Sequence, residues 1–222
     1  MKSTNEIKSS FKKFGGEKIP DIVEYLKEYI NHSPCVTISV GCDSVQRRRK
    51  TVYAITIMLY DTDIKNGAHV IFFRENVEKV RSHYDRLNRE GEFALHLADM
   101  LNAELTPFFD RKDLVELERK RYKYHLLRSQ GLYSHVASHN EDTFIKNLLL
   151  TEEENIKEYK LVDIHLDYNP FEGVVDKKGV AKNKSNMSYK SIVPWLRSLD
   201  YRVFCKPISF SATSAADLLL QD

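Results

Sequence analysis

Glycine is scarce in this chain, 8 of 222 residues. Neither a P-loop nor a G-x-S-x-G elbow is present, which excludes a glycine cradle for nucleotide phosphates and a serine nucleophile on a strained turn. Sugar-kinase and actin-like ATPases also place a phosphate loop after a first strand ending in aspartate. They need Gly-rich turns and two such domains, whereas one set of strands is found here. Cysteine is rarer still. Cys35, Cys42 and Cys205 lack metal-type spacing, and two sit in or beside apolar runs, which points to reduced thiols and a cytoplasmic setting. No stretch approaches 18 apolar residues, and Met1-Lys2-Ser3-Thr4-Asn5-Glu6 has no apolar signal core. The expectation is a protein neither secreted nor membrane-spanning. An excess of either charge is missing too: 34 Lys and Arg against 32 Asp and Glu leave +2. Nucleic-acid binding would therefore depend on local patches.

What remains is an ordinary globular composition, 42% hydrophobic and 30% charged. The length suits a single domain over 1–222, burying roughly 70% of its unfolded surface. Residues 1–34 read as a polar lead-in followed by a helix over 20–30, with Asp21 near its start and Pro34 beyond its end. Val36, Ile38 and Val40 alternate with Thr37, Ser39 and Gly41, the period-2 pattern of a strand. Two more strands are expected over 51–60 and 68–75, with Asn66-Gly67 as the hairpin turn between them. A helix over about 80–105 carries Leu87, Ala94, Leu97, Ala98, Leu101 and Leu105 on one stripe. Residues 107–158 break the rhythm and read as a helical insertion. A fourth strand over 160–168, a helix within 188–199 around Pro194, a fifth strand over 202–207 and a short helix over 211–220 complete the chain. The order implies an α/β fold: a mixed five-stranded sheet, three antiparallel strands then parallel ones, with helices on both faces.

Acids fall at telling places in this scheme. Asp43 follows the first strand, and a carboxylate at the end of a buried strand is costly unless a cation or donors receive it. Asp163, His165 and Asp167 share one face of the fourth strand because side chains alternate. If the first and fourth strands lie parallel and adjacent, Asp43 and Asp167 meet. Glu90 lies on the sheet-facing stripe of its helix, and Asp217 sits in the last helix. Four converging carboxylates repel one another, and divalent cations remove that cost. Oxygen-only ligands favour Mg²⁺ or Mn²⁺ over zinc. Asp163 and His165 read as structural neighbours rather than ligands.

Strand order and acids together resemble the ribonuclease H-like superfamily. The segments Ile38-Ser39-Val40-Gly41-Cys42-Asp43-Ser44, Asp163-Ile164-His165-Leu166-Asp167 and Lys206-Pro207-Ile208-Ser209-Phe210-Ser211-Ala212-Thr213-Ser214 are similar to the YkuK-like family of nucleases within it. The resemblance covers 36–106 and 159–220. It implies Asp43, Glu90, Asp167 and Asp217 as catalytic metal ligands, although the family often lacks an acid at the position of Asp217. The implied activity is hydrolysis of RNA, DNA or hybrid phosphodiesters with two Mg²⁺ or Mn²⁺ ions. Substrate contacts are expected from Ser44, Gln46, Arg47 and Lys206, with Arg48, Arg49, Lys50 and the lysines at 177, 178, 182 and 184 giving salt-sensitive phosphate binding. The insertion over 107–158 is a candidate protein-partner contact. The rival reading is a catalytically decayed module that keeps the fold and binds nucleic acid or protein.

Overall fold

A mixed sheet forms because its central strands are buried on both faces and need cover on each side. In the computed structural model the order is β1-β4-β3-β2-β5-β6. The description covers residues 3–33, 36–61, 67–129, 143, 145–147, 149, 159–170, 185–206, 209 and 211–220. Strands β1 (Lys12–Lys13), β2 (Val36–Gln46), β3 (Lys50–Asp61) and β4 (Ala68–Glu78) pair antiparallel, β1 on β4, β4 on β3 and β3 on β2. Strand β5 (Val162–Leu166) joins β2 in parallel, and β6 (Val203–Phe204) joins β5 in parallel. The expected mixed sheet is therefore present, with six strands rather than five. The extra one, β1, lies in the polar lead-in, where two lysines carry no strand signal. Its neighbours fix it: Phe11 is fully buried with its ring edge-on to Phe73, centroids 4.9 Å apart, and Ile19 is buried behind it.

Helix α1 spans Thr4–Lys8 and α2 spans Ile22–His32. Asp21 caps α2 by accepting from the amides of Val23 and Glu24 at 2.7 and 3.2 Å. Helix α3 (His83–Leu105) is capped by Ser82, whose hydroxyl accepts from the Asp85 amide at 3.1 Å. All six residues of its expected stripe are buried. That stripe covers one sheet face together with Val36, Ile38, Val40 and Cys42 of β2. On the other face Val45, Val52, Ala54 and Phe72 pack under a C-terminal segment, a π-helical turn over Ser211–Ala216 leading into a short α-helix at Asp217–Leu220, through Ala216, Leu219 and Leu220. Arg47 donates to the Leu220 carbonyl at 2.9 Å and Arg74 donates to that of Leu219, so cations close the negative end of this segment.

Helix α4 (Arg111–Ser129) opens the region read as an insertion, and its first half belongs to the core. Leu114 and Leu117 are buried with the main cluster, and Glu118 and Arg121 are buried beside them. Arg121 Nη2 donates to Asp163 Oδ1 at 2.6 Å, and Arg202 Nε donates to the same oxygen at 2.5 Å. Arg202 Nη1 donates to Glu118 Oε1 at 2.9 Å, and the Tyr159 hydroxyl donates to Glu118 Oε2 at 2.7 Å. Two buried arginines thus meet two buried acids, the condition under which such charges are tolerated. Burial alone would raise the Asp163 carboxyl, but Arg121 and Arg202 outweigh it and hold it below the usual range.

Helix α5 (Ser185–Ser198) runs through Pro194 without ending there and packs on α3. The crossing is tight at Gly91, where an added Cβ would meet Ile192 Cγ2 at 2.6 Å. Gly91→Ala should therefore destabilise the fold by about 1–3 kcal/mol despite the better helix propensity of alanine. A thermal melt with an unchanged midpoint would remove this account of the contact.

Candidate functional site at the end of the parallel ladder

The β2–β5 ladder has its last pair at Cys42 and Leu166. The next residue along the chain from each is an aspartate, Asp43 and Asp167, and the two are near enough for the Asp167 charge to act on the Asp43 carboxyl. Contrary to the expectation from the sequence, Asp43 does not terminate its strand. β2 continues to Gln46 because β3 goes on pairing with it as far as Gln46–Thr51. Only the parallel neighbour ends before Asp43, at the Cys42–Leu166 pair.

The other acids arrive from opposite sides. Alternation puts Asp43 on the face of Val45, under the C-terminal segment that carries Asp217. Ser44 points to the α3 face, and its hydroxyl donates to Glu90 Oε1 at 2.5 Å. Glu90 is fully buried, and its Oε2 has no hydrogen-bond partner. Asp167 has the same feature at Oδ1, also buried and unpartnered. Its Oδ2 lies 2.8 Å from Lys206 Nζ. Arg86, one helical turn before Glu90, lies 3.7 Å from Glu90 Oε1 and donates to both oxygens of Ser44. Asp217 is exposed, with its charge felt at Asp43.

Electrostatics records the crowding. Burial pushes the Asp43 carboxyl up to about 6; the Ser44 amide, donating at 2.7 Å, opposes this, Asp167 and Asp217 add to it, and Arg86 partly offsets it. Burial raises Glu90 well above the usual carboxylate range, and the Asp43 charge raises it further. A folded-state carboxyl titrating near 6, against about 3.9 when unfolded, binds more protons folded than unfolded in that interval. Stability of the cation-free protein should fall as pH rises from about 4 to 6. Asp43→Asn should flatten that limb in melts taken at intervals of pH.

The sequence-predicted residues come together unequally. Asp43, Glu90 and Asp167 form the centre with Asp217 at its margin. Among the described residues, no three Asp, Glu, His or Cys side chains stand ready to hold one cation. Glu90 is turned onto Ser44, with Arg86 nearby, and Asp167 onto Lys206. Ser44, Gln46, Arg47 and Lys206 all spend polar groups inside the protein; Gln46 Nε2 donates to the Val80 carbonyl at 2.5 Å. Exposed Arg48, Arg49 and Lys50 leave a basic turn beside the site. The lysines at 177, 178, 182 and 184 lie outside the described residues. Asp163 belongs to the buried ion cluster, and His165 is buried with its ring against Phe204, centroids 5.1 Å apart. Arg86 went unnoticed in the sequence, although its i,i+4 spacing to Glu90 was the available signal. Cys42 and Cys205 are free, buried and pushed up by burial, Cys205 to about 12, so neither supplies a thiolate. No helix among the described residues is long and apolar enough to cross a membrane.

Comparison with known families adds one finding: residues 19–120 match the model described as Ribonuclease H-like. Asp43 and Glu90 lie inside that span, Asp167 and Asp217 beyond it. No match was found among curated proteins or among solved structures. With three antiparallel strands leading into a parallel pair and helices on both faces, the fold is ribonuclease H-like, and residues 19–120 are similar to that family.

Proposed function

We propose that the protein is a metal-dependent nuclease that hydrolyses phosphodiester bonds of RNA or DNA at the Asp43–Asp167 site. What supports this reading is that an aspartate follows each strand of the last ladder pair, Cys42–Leu166, close to a fully buried glutamate. Burying Glu90 with one oxygen unpartnered is costly unless something electropositive faces it. The unpartnered Asp167 Oδ1 makes the same demand. These oxygen donors fit Mg²⁺ or Mn²⁺, and Asp43, Glu90, Asp167 and Asp217 would hold the ions. Two such ions supply activation of a water and stabilisation of the leaving oxygen in phosphodiester hydrolysis.

The chain's own groups do the rest. Ser44 and Arg86 fix the Glu90 carboxylate, so one oxygen is spent on positioning and the other stays available. The turn at Arg47, Arg48, Arg49 and Lys50 gathers positive charge near the site, suited to backbone phosphates rather than base edges. Lys206 offers a further phosphate contact. Buried thiols at Cys42 and Cys205 suit a reducing, cytoplasmic setting.

Labelled single-stranded DNA, RNA and RNA–DNA hybrid, incubated with Mn²⁺ or Mg²⁺, should release short products, and EDTA should stop the release. The decayed-module reading draws on Lys206 and Arg86 neutralising two of the acids. It expects EDTA-insensitive binding with no cleavage of any substrate, and that outcome would displace the nuclease reading.

A further inference from the structure

Lys206 lies where a metal-binding carboxylate would be engaged by its ion. Its ammonium sits 2.8 Å from Asp167 Oδ2, while Oδ1 is buried and unpartnered. The backbone amide of Lys206 donates to the Tyr168 carbonyl at 3.1 Å, which fixes the residue beside the end of β5. The side chain itself stays 40% exposed, so its long stem can swing without disturbing the backbone. Arg86 differs. It is held by the carbonyl and hydroxyl of Ser44 and by His83 Nδ1 at 3.1 Å, and it is positioned rather than free to leave.

We propose that Lys206 is a tethered counter-cation: it neutralises Asp167 in the unloaded protein and, by repulsion across the same carboxylate, weakens the hold on a divalent ion there until it withdraws. The proposal rests on the nuclease reading of the same site. A carboxylate cannot engage an ammonium and a divalent ion at close range without setting the two cations against each other. A nucleic-acid phosphate relieves that conflict by giving the withdrawn ammonium a second anion. Metal and nucleic acid consequently bind with positive coupling, and the coupling is reciprocal. The contact also gives the unloaded protein a reason to tolerate Asp167 beside Asp43.

Mn²⁺ binding measured by electron paramagnetic resonance tests this, with and without a saturating single-stranded phosphorothioate oligonucleotide that resists cleavage. The wild type should bind Mn²⁺ about 10-fold more tightly with the oligonucleotide present, within the usual range of such couplings. Lys206→Met should bind Mn²⁺ about 10-fold more tightly than wild type without oligonucleotide and gain little when it is added. Lys206→Arg should behave like wild type. Thermal melts confirm that the variants fold. Equal or weaker Mn²⁺ binding by Lys206→Met overturns the proposal and leaves the nuclease reading standing. Absence of Mn²⁺ binding in every protein, with and without oligonucleotide, removes the metal site and the proposal with it.

Discussion

Asp43→Asn is expected to lower cleavage of labelled nucleic acid by about 10³-fold while leaving the fold intact. The substitution keeps the shape and the hydrogen bond from the Ser44 amide and removes one charge. Metal-assisted stabilisation of a phosphoryl transition state is worth several kcal/mol, and each 1.4 kcal/mol is tenfold in rate. Stability should move the other way. Asp43 is held among Asp167, Asp217 and buried Glu90, so neutralising it removes a burial penalty and repulsion that the Ser44 amide and Arg86 only partly offset in the cation-free protein. The same variant should therefore melt higher than wild type near pH 7 without metal. Loss of activity combined with gain of stability marks a residue kept for chemistry at a cost to folding. Cleavage by the variant at the wild-type rate would remove Asp43 from the reaction.

Arg202→Leu should have the largest effect on stability, about 3–5 kcal/mol, the usual consequence of removing one partner from a buried charge cluster. Arg202 is fully buried and holds Asp163 Oδ1 and Glu118 Oε1 simultaneously, at 2.5 and 2.9 Å. Its loss leaves Glu118 with the Tyr159 hydroxyl and with Arg121 at 3.8 Å. Against a total of roughly 5–15 kcal/mol such a loss approaches unfolding. Denaturant titration measures it directly. Because the cluster joins α4 to β5 and to the residue before β6, the double variant Glu118→Gln/Arg202→Leu should cost less than the sum of the two singles. A loss under about 1 kcal/mol for Arg202→Leu would mean that α4 is not anchored through this cluster.

The strands were legible because period 2 survives wherever one face is buried, as in Val36, Ile38 and Val40. Helix α3 was legible for the matching reason at period 3.6. Glu90 stood out because an acid on an apolar stripe violates the pattern that defines the stripe, and the structure buries it completely. Two features left no local trace. Strand β1 consists of two lysines whose position is set by Phe11 and Ile19 on either side. Arg121 sits within Arg119-Lys120-Arg121-Tyr122-Lys123-Tyr124, which reads as a solvated basic face. Its partner Asp163 is 42 positions away, and Arg202 lies another 39 beyond Asp163. Pairing over such distances follows from the packing of α4 against β5, which no spacing rule encodes. The end of β2 was misplaced for a related reason: Asp43 looks like a strand terminus, but the partner strand β3 decides where pairing stops.

A crystal soaked in Mn²⁺ and measured for anomalous scattering puts the central claim to its most direct test. A peak touching carboxylate oxygens of both residue 43 and residue 167, with Lys206 turned away, is the predicted result. A fully occupied lattice with no peak there, and the ammonium still seated on Asp167, would contradict it.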